Sequence, residues 1–256
     1  MLLAFDIGNS DITIGLWSNN TWKHVWRIPS IPDQAELFYG IKIRDYFFEA
    51  QIKEPISKIV LSSVVPRLTE KISNVIRTIF ENEPITLGPK VYEKLPMDIL
   101  NPYEIGSDLV ANAVAAYFKY KKTCVVVDFG TALTFTTVSD KGKILGVSIA
   151  PGLKTAIRSL SQNTAKLFDV PLEMPTSALG TNTVTAIQSG ILIGYEGLVR
   201  NMVTKIREEL NQDCLAIATG GLSSIITPLK DFFYAIEPTL TLDGLRFVGE
   251  AADLNY

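Results

Sequence analysis

Asp6-Ile7-Gly8-Asn9 and Asp128-Phe129-Gly130-Thr131 repeat one arrangement: a carboxylate ending an apolar run, then a glycine, then a small polar side chain. In a strand-to-strand turn of this kind, glycine lets a phosphate approach backbone amides, and Asn9, Ser10 and Thr131 add side-chain donors. One Asp-x-Gly is a common hairpin turn. Two of them, 122 residues apart in a chain of 256, read as a duplicated element that aims two carboxylates at a triphosphate and its Mg2+. A third element is Ala218-Thr219-Gly220-Gly221-Leu222, a strand and a double glycine, with Ser223-Ser224 expected to open a helix. It fits close approach to a base or ribose, and equally a plain strand-to-helix connection. A fourth is Gly106-Ser107-Asp108-Leu109 ahead of the apolar LVANAVAAY, which places Asp108 at or near a helix N-terminus. The helix dipole there favours the ionised, proton-accepting form that phosphoryl transfer to a hydroxyl needs. Read alone, an ordinary N-cap aspartate is the better account.

The elements that must carry these groups follow from periodicity. LLAFDIG and DITIGLW read as strands joined at Asn9-Ser10, with TWKHVWRI as a third. VVVDFG, ALTFTTV and KILGVSI repeat the pattern, the last two joined by Asp140-Lys141-Gly142. Residues 33–50 and 66–82 carry helical spacing, with Pro66 suited to a first turn and IVLSSVV before it a buried strand. A long helix is expected from about Val184 to Leu210, CLAIAT as a strand and LRFVGEAADL as a closing helix. Each half thus runs three strands, then helices alternating with single strands, giving domains at 1–112 and 113–256 with no Gly/Ser/Pro linker between them.

Composition bounds the function. A hydrophobic content of 47%, 20% charge and a net charge of −3 describe a globular protein with no electrostatic footprint for nucleic acid or anionic membrane. No apolar run reaches the length of a membrane span, and Asp6 interrupts MLLAF before a signal-peptide core forms, so a cytoplasmic location is expected. Cys124 and Cys214, in apolar runs without a CxxC, read as buried free thiols. The single histidine, His24, falls between Trp22 and Trp26 at a partly exposed edge position.

Two phosphate hairpins followed by a Gly-Gly turn resemble the nucleotide site of the actin, Hsp70 and sugar-kinase group. The resemblance narrows through DIGNS at the N-terminus, SSVVP at 62–66, NPYEIGSD at 101–108, DFGTALTFTTV at 128–138, APGL at 150–153 and LGTNTVTAIQSGILIG at 179–194. This series is similar to that of type III pantothenate kinases. The resemblance implies two duplicated ribonuclease-H-like α/β domains, an actin-like ATPase fold, around a nucleotide cleft. It implies ATP-dependent phosphorylation of pantothenate to 4′-phosphopantothenate, the first step of coenzyme A synthesis. By the same resemblance Asp6, Ile7, Gly8, Asn9, Ser10, Asp11, Ile12 and Thr13 form the first phosphate loop, Thr131 contacts ATP with Gly220 and Gly221, and Asp128 binds a monovalent cation, K+ or NH4+. Asp6 organises Mg2+ through water. Gly106, Ser107, Asp108, Leu109 and Thr183 face pantothenate, Asp108 is the general base, and the active unit is a homodimer that shares its substrate site.

Two positions depart from the pattern. Leu109 stands where the family has arginine, so a bidentate partner for the substrate carboxylate is missing, and Lys154, Arg158 and Lys166 are candidates to replace it. Ile99 stands where a tyrosine is frequent, with Tyr103 nearby. These departures keep a kinase for another small hydroxylated acceptor in view, and a binding or regulatory homologue that has lost turnover. Retention of Asp6, Asp108, Asp128 and Thr131 speaks against the latter. Ala186, Gly190 and Gly194 form a small-residue stripe on the long helix, read either as tight intramolecular packing or as a dimer seam.

Overall fold

The computed structural model describes residues 1–163 and 167–251. The chain forms two compact units. The first opens with β1 (Leu2–Ile7), β2 (Asp11–Ser18) and β3 (Thr21–Pro29), followed by α1 (Glu36–Glu49), β4 (Lys58–Ser63), α2 (Pro66–Phe80), β5 (Ile85–Thr86), α3 (Pro89–Tyr92) and α4 (Ser107–Tyr120). Its sheet order is β3-β2-β1-β4-β5, with β1 antiparallel to β2 and parallel to β4. Asn19 and Asn20 both take positive φ (51° and 57°), the backbone a two-residue β2–β3 turn requires and asparagine tolerates. Alternate residues Leu3, Phe5 and Ile7 of β1 face a core shared with Ile12, Ile14, Tyr39, Ile43, Ile72 and Ile76, so Asp6 lies on the opposite face. Pro66 opens α2 as expected, where its missing N–H has no helical partner to lose.

The second unit repeats the plan with β6 (Cys124–Phe129), β7 (Ala132–Val138), β8 (Ile144–Pro151), α5 (Leu153–Asn163), α6 (Thr183–Gln188), α7 (Gly194–Leu210), β9 (Leu215–Thr219) and β10 (Ala235–Ile236). Its order, β10-β9-β6-β7-β8, is the first sheet's order again, with β6 antiparallel to β7 and parallel to β9. The duplicated α/β architecture read from the sequence is therefore present. The long helix forms over Thr183–Leu210, with a π-helical turn at Ser189–Ile193 joining α6 to α7. The helix expected at Ser223 does not form: the chain makes successive turns, ending in a 3-10 turn at Thr227–Leu229. Pro228 lacks a helical donor and restricts Thr227, while Ile226, Leu229 and Phe233 reach the core only by this folded-back path.

α8 (Leu240–Ala251) brings the chain back to the first unit, which comprises Met1–Phe118 and the described residues from Thr241 to Ala251, while Lys119–Leu240 form the second. The contiguous halves of the sequence reading did not include this return. Trp22 Nε1 donates to Asp243 Oδ1 at 2.8 Å, Lys58 Nζ donates to Gly249 O at 2.6 Å, and Gly244 packs on the Ala111 backbone with no room for a Cβ. Cys124 and Cys214 are free and buried, and burial pushes the Cys124 thiol up to about 12. His24 is half-buried on the edge strand β3, stacked on Trp26 at 5.0 Å. Among the described residues, no helix is long and apolar enough to cross a membrane.

Candidate functional site

The chemistry gathers at the carboxyl ends of the central strands, where open α/β sheets leave a crevice. In the first unit, Asp6 ends β1 opposite Thr13, and Gly8, Asn9 and Ser10 make the turn to Asp11, with Gly8 N donating to Asp11 O at 3.0 Å. Ile7 and Ile12 are buried beneath it, whereas Asn9, Ser10 and Asp11 are exposed. Ser30 binds the loop from below: its Oγ donates to Gly8 O at 2.6 Å and its N–H to Ser10 O at 2.9 Å. The loop's carbonyls are thus engaged by protein.

Asp108 is brought to the same end of the same sheet. Ser62 of β4 is the register neighbour of Asp6, and its Oγ lies 2.8 Å from Ser107 Oγ. Ser107 Oγ also donates to Ser63 O (3.1 Å) and accepts from Ser63 N–H (3.0 Å), so the first residue of α4 is hooked to the tip of β4. With its hydroxyl so occupied, Ser107 can serve a substrate only through its backbone. Gly106 leaves room for the carboxylate two residues on, because a Cβ there would stand 2.5 Å from Asp108 Oδ1 and displace it.

Asp108 accepts from its neighbour Leu109 N–H at 2.9 Å. Its carboxyl is nevertheless raised above the ordinary value: burial penalises the charge more than the backbone donors offset it. The expectation that the helix start would favour ionisation is thus reversed in sign, because desolvation outweighs the dipole. Buried Tyr92 stays protonated, its phenol pushed up to about 12 by burial and by the Asp108 charge. Leu109 and Ile99, the two departures, are both buried, while Tyr103 is exposed.

In the second unit Asp128 ends β6 opposite Thr134, and the Gly130-Thr131 turn is closed by Gly130 N donating to Ala132 O at 3.1 Å. Thr131 O accepts from Gly152 N–H (3.0 Å) and from Thr155 Oγ1 (2.7 Å), both at the start of α5. Asp128 also pairs in register with Thr219, and Gly220 follows at φ +91°. A Cβ on Gly220 would stand 2.5 Å from Asp128 Oδ1, so the Gly-Gly turn and the second carboxylate abut. Among the described residues, the buried Thr134 Oγ1 has no hydrogen-bond partner.

Gly8 and Gly130 behave differently from those glycines. Neither has positive φ, and added Cβ atoms would meet nothing closer than Asp11 O at 3.2 Å and Ala132 O at 3.4 Å. A Cβ would be tight but not excluded at Gly8 and in ordinary contact at Gly130, so packing demands glycine less at these two places than at Gly220. Thr183, the first residue of α6, follows a capping box in which Asn182 Oδ1 accepts from Thr185 N–H at 3.0 Å. It lines an open cavity of about 520 Å³ with a floor of Leu160, Leu167, Ile187 and Ile191. Lys154 and Arg158 are exposed one turn apart on α5, and Lys166 lies outside the described residues. Among the described residues, Gly190 and Gly194 have nothing within 4 Å of an added Cβ, whereas Gly180 packs directly on the Ala186 backbone, so the small-residue stripe is tightly packed within the chain at Ala186 and open at its two glycines.

Sequence reasoning missed Ser30 and Thr155. The signal was available, since Pro29-Ser30 and Pro151-Gly152 repeat at the same spacing as the two aspartates.

A family model described as type III pantothenate kinase matches residues 2–205. Type III pantothenate kinases from Moorella thermoacetica and Geobacter sulfurreducens are each 38% identical, over 98% of this chain and 99% and 98% of their own. Among solved structures, a chain from Campylobacter jejuni assigned to the Baf family of transcriptional activators has a TM-score of 0.62 at 19% identity, covering 98% of this chain and 99% of its own. MreB5 of Spiroplasma citri bound to ADP has a TM-score of 0.57 at 10% identity, covering 99% and 97%. Such low identities speak for the fold alone. The match over nearly the whole chain, together with the doubled hairpins and the hooked Asp108 segment, makes this chain a member of the type III pantothenate kinase family.

Proposed function

We propose that the chain transfers the γ-phosphate of ATP to the primary hydroxyl of pantothenate, giving 4′-phosphopantothenate. The observation that carries this reading is Asp108: a half-buried carboxylate with raised proton affinity, held by Ser107 and Gly106 at the strand end next to the Asp6 hairpin. In that role Asp108 accepts the proton of the attacking hydroxyl, and its raised affinity makes it a stronger base. The amides and side chains of Asp6 to Thr13, with Thr131, hold the phosphates, and Gly220-Gly221 lie against the nucleoside. Asp6, at the end of β1, would be the residue that holds Mg2+, through water, beside the bound phosphates. That ion supplies charge neutralisation between the phosphates when bound. A monovalent cation suits Asp128, whose register neighbour Thr134 offers a hydroxyl oxygen unpartnered among the described residues.

Thr183 and its cavity serve the acceptor. With Leu109 buried, we assign the acceptor's carboxylate to Lys154 or Arg158. Their replacement by methionine should raise KM for pantothenate and leave KM for ATP unchanged. The exposed Gly190 and Gly194 support a homodimer, which light scattering would report as twice 28.2 kDa. The decisive experiment is ADP release by purified protein with Mg-ATP and K+, with and without pantothenate. Release that does not depend on pantothenate refutes the proposal. A second reading, another small hydroxylated acceptor, is favoured by buried Leu109 and Ile99, and the same assay across hydroxy acids separates the two.

A further inference from the structure

Glu237 follows β10 and uses every polar atom it has. Its N–H donates to Ala218 O at 2.8 Å, and its carbonyl accepts from Thr219 Oγ1 at 2.7 Å and Leu240 N–H at 3.1 Å. Its carboxylate accepts from Tyr120 OH at 2.6 Å through Oε1 and pairs with Lys119 Nζ at 2.8 Å through Oε2. Tyr120 is further fixed edge-on to Tyr234, with ring centroids 5.8 Å apart. All these groups belong to Lys119–Leu240.

What Glu237 grips matters more than how tightly it grips. Its backbone holds Ala218 and Thr219, the residues immediately before the Gly220-Gly221 turn. Thr219 is also the register partner of Asp128, and Gly220 abuts the Asp128 carboxylate. Its side chain holds the last two residues of α4, the helix that begins with Ser107-Asp108. We propose that Glu237 is a positioning residue for the nucleotide, clamping the tip of β9 to the end of α4 so that the Gly-Gly turn and Asp128 keep a fixed seat. This rests on the reading that Gly220-Gly221 and Asp128 serve the nucleotide and its cation. On one side β6 pairs with β9 as far as Asp128 with Thr219, but on the other β10 meets β9 through only two residue pairs, Ala235 with Ile217 and Ile236 with Ala218. On that side Glu237 extends the hold to Thr219, and its side chain adds the tie to α4 that strand pairing does not supply.

The test separates positioning from bulk stability by reading nucleotide and acceptor separately. Titration calorimetry with ADP, and steady-state kinetics varying ATP and pantothenate in turn, are run on wild type, Glu237→Ala, Glu237→Gln and Tyr120→Phe. Loss of a charge-assisted bond at the clamp should weaken nucleotide binding about tenfold or more in Glu237→Ala. Glu237→Gln, which can still accept from Tyr120, should fall between it and wild type. KM for pantothenate should not move, and half-saturation by K+ should rise with KM for ATP. A lowered thermal midpoint with unchanged ADP affinity, KM for ATP and K+ response would overturn the proposal and leave Glu237 a purely structural residue. Should Glu237→Ala fail to fold, Tyr120→Phe removes one hydrogen bond alone, and an unchanged KM for ATP in that variant overturns the proposal equally. ADP affinity is read without any acceptor, so a wild type that binds ADP but ignores pantothenate refutes the assigned substrate while leaving the clamp to stand or fall on its own variants.

Discussion

At the end of β3 the chain turns through Pro29-Ser30, and at the end of β8 through Pro151-Gly152; each turn reaches under the Asp-x-Gly hairpin of its own unit and binds carbonyl oxygen of the loop. In the first hairpin one residue does this, Ser30, with its hydroxyl and its amide. In the second the work is split between the Gly152 amide and the Thr155 hydroxyl, and Gly152 is pressed against the carbonyls of Gly130 and Thr131. The second loop is also one residue shorter, three residues between the last paired positions, Phe129 and Leu133, against four between Ile7 and Ile12. The strand frame is duplicated while its bracing has diverged: the first loop rests on a serine in a turn, the second on a helix. The strand ends beside the hairpins diverge in the same way, since β4 anchors an acid at Asp108 and β9 runs into glycine at Gly220.

That last difference predicts the largest effect. Asp108→Asn keeps the contact to Leu109 N–H and removes the proton acceptor, so kcat should fall on the order of 10²–10⁴ while ADP affinity persists. A raised carboxyl must lose its proton to act, so the acid limb of kcat/KM should lie above the usual aspartate range near ~3.9. Stability carries the opposite sign. A carboxyl whose folded pKa is raised opposes folding at pH above that value, and the penalty fades as pH falls through it. Asp108→Asn should therefore be at least as stable as wild type near neutral pH, and a destabilised variant would show that the charge is held by partners that outweigh its burial.

The next effect tests the bracing at the two equivalent positions, 30 and 152. Ser30→Ala removes one hydroxyl hydrogen bond and should cost about 0.5–1.5 kcal/mol. Gly152→Ala drives a methyl into two backbone carbonyls that cannot yield, so its penalty should exceed the ~1–3 kcal/mol of ordinary overpacking. Denaturant midpoints at constant slope would measure both. Equal penalties would mean that the helix-braced loop is as compliant as the serine-braced one.

Much of this frame was legible in the sequence because it rests on local signals. Alternating apolar residues in β1 and β6, turn residues between strands, and Pro66 at a helix start each act within a few positions. What stayed hidden depends on contacts distant in sequence. The Ser62–Ser107 hook spans 45 residues, the return of α8 to the first unit spans most of the chain, and the raised Asp108 carboxyl is set by burial that no pattern around it reveals. At Ser223 local reading failed outright, because the need to bury Ile226, Leu229 and Phe233 prevailed over helix propensity.

The smallest expected change in stability belongs to the two hairpin glycines, and it separates a ligand cradle from a mere turn. A methyl at Gly8 meets only Asp11 O at 3.2 Å, and one at Gly130 only Ala132 O at 3.4 Å and Asp128 Oδ1 at 3.6 Å, with no positive φ at either. Gly8→Ala and Gly130→Ala should therefore each shift stability by less than about 1 kcal/mol, in contrast to Gly152→Ala. Nucleotide affinity should respond in proportion to how closely each loop approaches a phosphate, since the added methyl occupies the space the ligand uses. The two loops need not respond alike. The first is longer and braced by one serine, so it can shift to admit the methyl; the second is pinned to α5 and cannot. Gly130→Ala should consequently weaken ADP binding more than Gly8→Ala, by calorimetry on folded protein. Equal losses would show that the difference in bracing has no bearing on the ligand, and no loss in either would remove both hairpins from the phosphate site.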